Sequence, residues 1–145
     1  ASAPTADALS VDPAASAELE RRLEEARGLM SRGEYEGALD ILDVLYRSHP
    51  EDESLRRLTA EAEVAFTEKA YRHYLPASKV PVLIKPVESL ESENLSPSEV
   101  FLLSRIDGSW DVKSIIRIAP IRDVEALRTL KRMRERGVID LRDPQ

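Results

Sequence analysis

Apolar residues recur at helical spacing along the first half of the chain, beginning near Ala17. The first such stretch has an apolar residue at every third or fourth position, namely Leu19, Leu23, Ala26 and Met30. Gly33 follows, where a glycine in the left-handed conformation commonly ends a helix. The pattern predicts a helix from residue 17 to this turn. Residues 1–16 are rich in Ala, Ser, Pro and Asp without periodicity, which predicts a linker or a disordered tail.

Two further helices are predicted before residue 75. The apolar face of the second consists of Ala38, Leu39, Leu42 and Leu45. This helix stops at His49, because a residue that precedes a proline is pushed out of the helical conformation. The third helix runs from about Ser54 to His73 and carries Leu55, Leu58, Ala62, Ala65, Phe66 and Ala70. We therefore expect residues 17–74 to form one helical region.

Residues 75–95, called the strap below, have a different pattern. Pro76, Pro81 and Pro86 exclude a continuous helix. The apolar residues between them are too numerous for a solvated linker, so we expect an extended segment that lies across the protein body. A short edge strand is predicted at residues 82–84. The alternative is that the strap is exposed and docks on a partner.

Residues 96–145 predict a helix, a turn, a second helix, another turn, a third helix and a short strand. Ser96, Pro97 and Glu99 form a helix-start signal with a capping box. The apolar faces predicted for the three helices are Val100, Leu102, Leu103 and Ile106, then Ile115, Ile116 and Ile118, then Ile121, Val124, Leu127, Leu130 and Met133. Gly137 ends the third helix, and the strand contains Val138, Ile139 and Leu141. The predicted fold class is therefore mostly α.

The first two helices resemble a tetratricopeptide repeat. The matching residues are Ala26, Gly33, Tyr35, Ala38, Leu42 and Pro50. Small residues at 26 and 38 would let the two helices approach closely, although Arg22 lies near the place of the usual tryptophan. The resemblance implies a helical hairpin, capped by the third helix, that serves as an interaction scaffold. One repeat is too short for the long groove that binds peptides in this family, and an unrelated helical hairpin is the alternative.

Residues 96–142 resemble the core of a winged-helix domain. The segment DVEALRTLKRMRERGVIDL, residues 123–141, is similar to a recognition helix that leads into a wing strand. In many members of that family the last helix reads DNA in the major groove. Here its first turn offers Asp123 and Glu125 beside Arg122, a poor surface for phosphates, and the sequence stops at Gln145, before a second wing strand. The sequence therefore favours a protein partner, with a DNA-binding transcriptional regulator as the alternative.

The same segment is also similar to a small helical module of multidomain proteins from delta-proteobacteria such as myxobacteria. The matching residues are LLSRIDG at 102–108, then Trp110, Asp111, Val112, Pro120, Leu127, Leu130 and Gly137. Such modules occur beside tetratricopeptide repeats, receiver domains or J-domains. The resemblance implies a signalling or adaptor role.

The charge distribution also argues against nucleic acid. The net charge is −6, and Leu95 to Gln145 contain ten Lys and Arg against eight Asp and Glu, so about +2. The rest of the chain contains eleven against nineteen, which makes it strongly acidic. An acidic region repels phosphate backbones, and a tail near +2 attracts them weakly.

Six residues are candidates for contact with a protein partner: Arg105, Trp110, Arg122, Arg128, Lys131 and Arg132. We favour an inward-facing Trp110 that anchors the second helix, with Arg105 paired to Asp107 or Asp111. A solvent-facing Trp110 would instead be a binding hot spot with Arg105 beside it. The cluster Lys131, Arg132, Arg134 and Arg136 complements the helix dipole, or forms a patch for an acidic partner.

Catalytic, cofactor and metal sites are not predicted. The sequence has no cysteine, and its two histidines, His49 and His73, lie near helix ends. It contains no glycine-rich phosphate loop, and its carboxylates alternate with arginines as on a solvated helix face. We therefore expect a protein that is not an enzyme.

No membrane insertion is expected, because no apolar run is long enough to cross a bilayer. The first residues lack the basic flank and apolar stretch of a signal peptide, which predicts a cytoplasmic protein. Because the sequence begins with Ala rather than Met, we expect it to be a piece of a longer protein, or a protein whose first residues have been removed.

Overall fold

Helices dominate the computed structural model, which describes residues 13–144. The predicted mostly α fold class is thereby confirmed. The chain divides into two compact units, Ala1–Ala65 and Phe66–Gln145. The predicted linker 1–16 falls largely outside the described residues, but Pro13 already begins a helix. The first helix thus starts earlier than its apolar periodicity indicates, because proline is tolerated in a first helical turn.

Unit 1, Ala1–Ala65, contains a helical hairpin. It is built from α1, Pro13–Ser31, and α2, Tyr35–Ser48. Gly33 has φ of 78°, and the amides of Gly33 and Glu34 donate to the carbonyls of Met30 and Leu29 at 3.0 and 2.9 Å. This is the glycine-based helix end that the sequence predicts. The predicted face of α2 is confirmed, because all four of its residues are buried: Ala38, Leu39, Leu42 and Leu45.

The third helix, α3, extends over Glu53–Lys69, and the division between the units falls within it. Asp52 caps it by accepting a hydrogen bond from the Leu55 amide at 2.8 Å. In unit 1 it buries Leu55, Leu58 and Ala62. After α3 the chain continues as a π-helical turn, Ala70–Tyr74, in which the Leu75 amide reaches back five residues to the Ala70 carbonyl.

Unit 2, Phe66–Gln145, contains the strap and three core helices. The strap carries strand β1, Val80–Leu83, and a short helix α4, Val87–Leu90. The core helices are α5, Pro97–Ser104, α6, Val112–Ile118, and α7, Asp123–Glu135, followed by strand β2, Ile139–Arg142. The capping box is confirmed, since Ser96 accepts from the Glu99 amide and Glu99 accepts from the Ser96 amide.

The two strands pair with each other in antiparallel orientation, with Val82 opposite Asp140 and Pro81 opposite Leu141. The Ile84 amide donates to the Val138 carbonyl, so hydrogen-bonded pairs recur at every second position from there. Pro81 falls on a non-hydrogen-bonded position, where its missing N–H costs nothing. The strap therefore contains a strand, as predicted, although it begins two residues earlier than expected.

The pairing of β2 differs from that of a wing. Its partner β1 precedes the three core helices, and the described residues contain no hairpin after α7. The strap also binds the start of α6 through backbone hydrogen bonds. The Val112 and Lys113 amides donate to the carbonyls of Lys79 and Ala77 at 2.9 and 3.1 Å. The strap is thus part of the structure of unit 2.

Two residues predicted to be buried are exposed. Val100 is 54% exposed and Ile118 is 40% exposed. Val100 lies two residues from the buried Leu102, which places it about 200° around α5 on the opposite face. Ile118 is the last residue of α6, where the chain leaves the helix. In and beside the three core helices and β2, the buried residues of unit 2 include Leu102, Ile106, Val112, Ile115, Ile116, Val124, Leu127, Leu130, Met133, Val138 and Ile139.

Candidate functional site

The six predicted contact residues all lie in unit 2, on three parts of it. Arg105 caps the end of α5, and Trp110 lies in the turn before α6. Arg122 precedes the first residue of α7. The other three, Arg128, Lys131 and Arg132, lie on α7 itself. They are thus spread along the unit rather than drawn from one element.

Trp110 is not buried as favoured from the sequence, because 37% of the residue is exposed. The interior at the start of α6 is occupied by Val112 and Ile115, both fully buried. Asp111 accepts a hydrogen bond from the Ser114 amide at 2.8 Å and so caps α6. The helix is therefore fixed by its cap and by aliphatic side chains.

Arg105 does not pair with Asp107 or Asp111. Its guanidinium carbon lies 5.2 Å from the centre of the Phe101 ring, one helical turn earlier. The Asp107 carboxylate accepts hydrogen bonds from Ser109, whose hydroxyl and amide hold the pKa of Asp107 below its usual value. Ser114 lowers the pKa of Asp111 in the same way. Arg105 thus forms a cation–π contact at the surface.

The surface beside this contact contains a small apolar cleft. The cleft has a volume of about 130 Å³ and is lined by Pro97, Ser98, Phe101, Pro120 and Ile121. One wall comes from the first turns of α5, and the other comes from the connection between α6 and α7. We call these five residues the Phe101 cleft.

Exposed aliphatic side chains lie close along the chain to the lining residues of both walls. Val100 follows Pro97 by three residues, so it shares a face of α5 with Pro97 and Phe101. Ile118 precedes Pro120 by two residues on the other wall. This surface was not predicted from the sequence, although Val100 and Phe101 both lie off the buried stripe that Leu102 and Ile106 define. Apolar residues outside the buried face of α5 were the sequence signal that could have indicated it.

The predicted basic patch on α7 is largely engaged inside unit 2. Lys131 is 2.7 Å from a Glu135 carboxylate oxygen and 4.8 Å from the Tyr74 ring centre, and its side chain is only 14% exposed. Arg134 donates to the Tyr74 carbonyl at 2.7 Å. These cations therefore stabilise the unit's own structure.

Arg136, the last member of that patch, makes two ion pairs. Its guanidinium contacts Glu93 at 2.6 Å and Glu99 at 2.8 Å. It thus joins the end of α7 to the strap and to the capping box of α5. Arg132, the remaining member of the patch, is exposed on α7, and Arg122 is exposed at the start of that helix.

Unit 1 has a smaller and more polar cleft. It measures about 90 Å³ and is lined by Arg27, Ser54, Arg57, Leu58 and Glu61. Arg27 pairs with Glu24 at 3.1 Å, as expected for a solvated helix face. The surface offers little apolar contact, so it is a weaker candidate than the Phe101 cleft.

Within residues 13–144, no group of three or more His, Cys, Asp or Glu side chains is placed to hold a metal ion. In the same part of the chain, every helix is too short or too polar to cross a bilayer. No protein-family model, curated protein or solved structure matches this chain.

Proposed function

We propose that this chain is a non-catalytic protein-interaction module of a bacterial signalling or regulatory assembly, and that the Phe101 cleft is its docking surface. The observation that carries the proposal is the cleft itself, and the exposed Val100 and Ile118 lie within two residues of its lining along the chain. Contiguous apolar surface on a polar protein marks a place where another molecule binds.

The chemistry of the lining supports binding rather than catalysis. Two prolines, a phenylalanine, an isoleucine and Ser98 provide apolar contact and one hydroxyl. A nucleophilic serine needs a base within hydrogen-bonding distance, and neither histidine of the chain lines this cleft. Prolines are rigid, so a partner that binds there orders few additional groups.

The resemblances of the two parts agree with this role. A tetratricopeptide-like hairpin in unit 1 and a winged-helix-like unit 2 would together form an adaptor of the kind found in multidomain bacterial proteins. The cytoplasm is the compartment that such an assembly would occupy.

Duplex DNA is a less suitable partner, because the exposed start of α7 carries Asp123 and Glu125 beside Arg122. Farther along the helix, Lys131 pairs with Glu135 and Arg136 pairs with two glutamates. Cations that are already paired release few counterions from a duplex, so they contribute little to its affinity.

Crosslinking in a lysate of the native host tests the proposal. The full chain, with a photoreactive amino acid in place of Ser98, should crosslink to a specific protein. Val100→Gln and Ile118→Gln should abolish that product, because glutamine keeps the helix but removes the apolar contact. Val44→Gln and Val64→Gln change equally exposed valines of unit 1 and should leave it unchanged. Equal crosslinking by all four variants would contradict the proposal.

A further inference from the structure

We propose that two copies of this chain pair through the outer edge of strand β2, so that their two-stranded sheets join into one four-stranded antiparallel sheet. In this pairing Leu141 of one copy lies opposite Leu141 of the other. The inference goes beyond the proposed function, because it concerns a different part of unit 2 from the Phe101 cleft. The hydrogen-bonding pattern of the sheet, the accessibility of its edges and the charges on β2 support it.

The register of the sheet shows which backbone groups of β2 point away from β1. The Ile84 amide donates to the Val138 carbonyl. Hydrogen-bonded positions recur at every second residue of an antiparallel pair, so the next one joins Val82 to Asp140. Leu141 follows at a position that is not hydrogen-bonded to β1. Its amide and carbonyl therefore point to the outer edge of β2.

The outer edge of β2 is accessible at Leu141. The Leu141 amide donates to the Asp140 carboxylate at 2.8 Å, and this bond lies at the surface. The carbonyl of another strand can replace that carboxylate as acceptor, so the exchange leaves no donor unsatisfied. Among the described residues the sheet has two strands and ends at β2. Ile139 is buried, so the accessible edge begins at Asp140 and the contact between the copies is short.

The outer edge of β1 is closed, so the pairing stops at two copies. Pro81 lies at an outward-facing position of β1 and has no N–H to donate. Before it, the carbonyls of Lys79 and Ala77 accept the amides of Val112 and Lys113 at the start of α6. The edge that can add a strand is therefore that of β2. Two copies related by a two-fold axis then form a closed pair rather than a fibre.

The charges on β2 fit a second copy of the same strand. When the antiparallel pair is centred on Leu141, Asp140 of each copy lies opposite Arg142 of the other and on the same face of the sheet. Opposite charges at directly opposed positions stabilise a sheet, whereas like charges destabilise it. A pair centred on either neighbouring residue would place Asp140 or Arg142 against its own copy. The charges thus select the register about Leu141.

The present contacts of these two side chains leave groups for the second copy. Asp140 uses Oδ1 for the Leu141 amide, and the same oxygen lies 3.6 Å from Arg134 Nε. Arg142 uses Nη2 for the Gly108 carbonyl. A carboxylate has a second oxygen, and a guanidinium has five N–H donors. Each side chain can therefore join a cross-strand ion pair while it keeps its contact within the chain.

Sedimentation velocity of the full chain, from micromolar to millimolar concentration, tests the inference. The wild type should form a dimer whose share rises with concentration, without larger species. Arg142→Asp makes both charges of β2 negative, and Asp140→Arg makes both positive. Each variant alone should dimerise about tenfold more weakly, because like charges then lie opposite each other. An equimolar mixture of the two should recover the dimer, since every cross-strand pair between unlike copies has opposite charges.

Two further variants test the backbone contact. Leu141→Pro removes the outward-facing amide, as Pro81 does on β1, and should abolish the dimer. Leu141→Val keeps that amide and should retain the dimer. Arg56→Asp reverses an exposed charge on α3 and is the matched control, which should change nothing. Circular dichroism before sedimentation verifies that each variant is folded.

The outcomes separate this pairing from other contacts. A chain that stays monomeric at millimolar concentration overturns the inference, even if a strand of another protein binds the same edge. A dimer that is unchanged in both charge variants and in Leu141→Pro also overturns it, because the copies then meet at another surface. Loss of the dimer in each charge variant without recovery in the mixture overturns the register about Leu141. The lysate crosslink at position 98 depends on none of these results, so it tests the proposed function separately.

Discussion

Arg142 on β2 donates a hydrogen bond from Nη2 to the carbonyl oxygen of Gly108, 3.2 Å away in the turn after α5. Gly108 has φ of 87°, in the left-handed region. A Cβ added there would lie 2.9 Å from the same nitrogen atom. The end of the chain and the turn before α6 are thus joined at a residue whose backbone conformation favours glycine.

Gly108→Ala should lower the free energy of unfolding by about 1–2 kcal/mol, because a side chain in the left-handed region meets its own backbone. The Arg142 guanidinium is at the end of a flexible side chain and can move aside. The lost hydrogen bond should therefore lower the free energy of unfolding by no more than about 1 kcal/mol further. Urea unfolding followed by circular dichroism measures both effects. Gly137→Ala should show the same cost of a left-handed side chain, since its φ is 75°, but its added Cβ would meet nothing within 4 Å. The difference between the two variants therefore measures the Arg142 contact alone. A Gly108 variant as stable as the wild type would contradict this account.

Arg136 gives unit 2 a pH-dependent contact. Its hydrogen bond lowers the pKa of Glu93. Burial alone would raise the pKa of Glu99, but hydrogen bonds from Ser96 and Arg136 outweigh burial and hold that pKa below its usual value. Folded-state pKa values below the unfolded ones mean that the unfolded chain binds protons first as the pH falls. The contact therefore stabilises the protein above the unfolded glutamate pKa, about 4.3, and is lost as the pH falls through the lower folded values.

Arg136→Gln should accordingly destabilise the protein at neutral pH, and the difference from the wild type should shrink below about pH 4. Urea unfolding at a series of pH values measures the change. Arg72→Gln removes an exposed cation of the π-helical turn and should leave the pH profile unaltered. If the loss caused by Arg136→Gln were equal at all pH values, the glutamate pairs would not be its cause.

Trp110 is the only tryptophan in the chain, so its fluorescence reports on one turn. Because 37% of the residue is exposed, acrylamide should quench the native protein strongly, though less than the protein unfolded in guanidinium. A tryptophan placed at the buried Phe66, in the double variant Trp110→Phe and Phe66→Trp, is the shielded reference. If acrylamide quenched the two tryptophans equally, the result would contradict the exposure of Trp110 and support the inward orientation favoured from the sequence.

Helix caps and helix ends could be predicted from the sequence, because the residues that form each of them are close along the chain. The Ser96–Glu99 capping box and the helix end at Gly33 each involve residues within one or two turns, and both form as predicted. The exposure of Trp110 could not be predicted in this way. It depends on whether Val112 and its neighbours already fill the interior, and the packing of the whole unit decides that.

Long-range contacts were less predictable for the same reason. The apolar residues of the strap indicated a strand, but its partner β2 lies more than fifty residues later, and the sequence suggested a wing instead. The Phe101 cleft joins residues about twenty positions apart, from α5 and from the α6–α7 connection. The favoured pairing of Arg105 with Asp107 or Asp111 was wrong, because its contact with Phe101 depends on which face of α5 is buried.

The hairpin of unit 1 offers a test of close helix packing. Ala26 and Ala38 are both completely buried, so Ala26→Leu and Ala38→Leu should each destabilise the protein by about 1–3 kcal/mol through overpacking. Gly37→Ala is the matched control, because its added Cβ would meet a Leu29 methyl group at 3.5 Å, an ordinary contact. Within a helix this change should stabilise by about 0.5–1 kcal/mol. Urea unfolding of the three variants measures the effects, and leucine variants as stable as the wild type would show that the two helices do not need small residues where they meet.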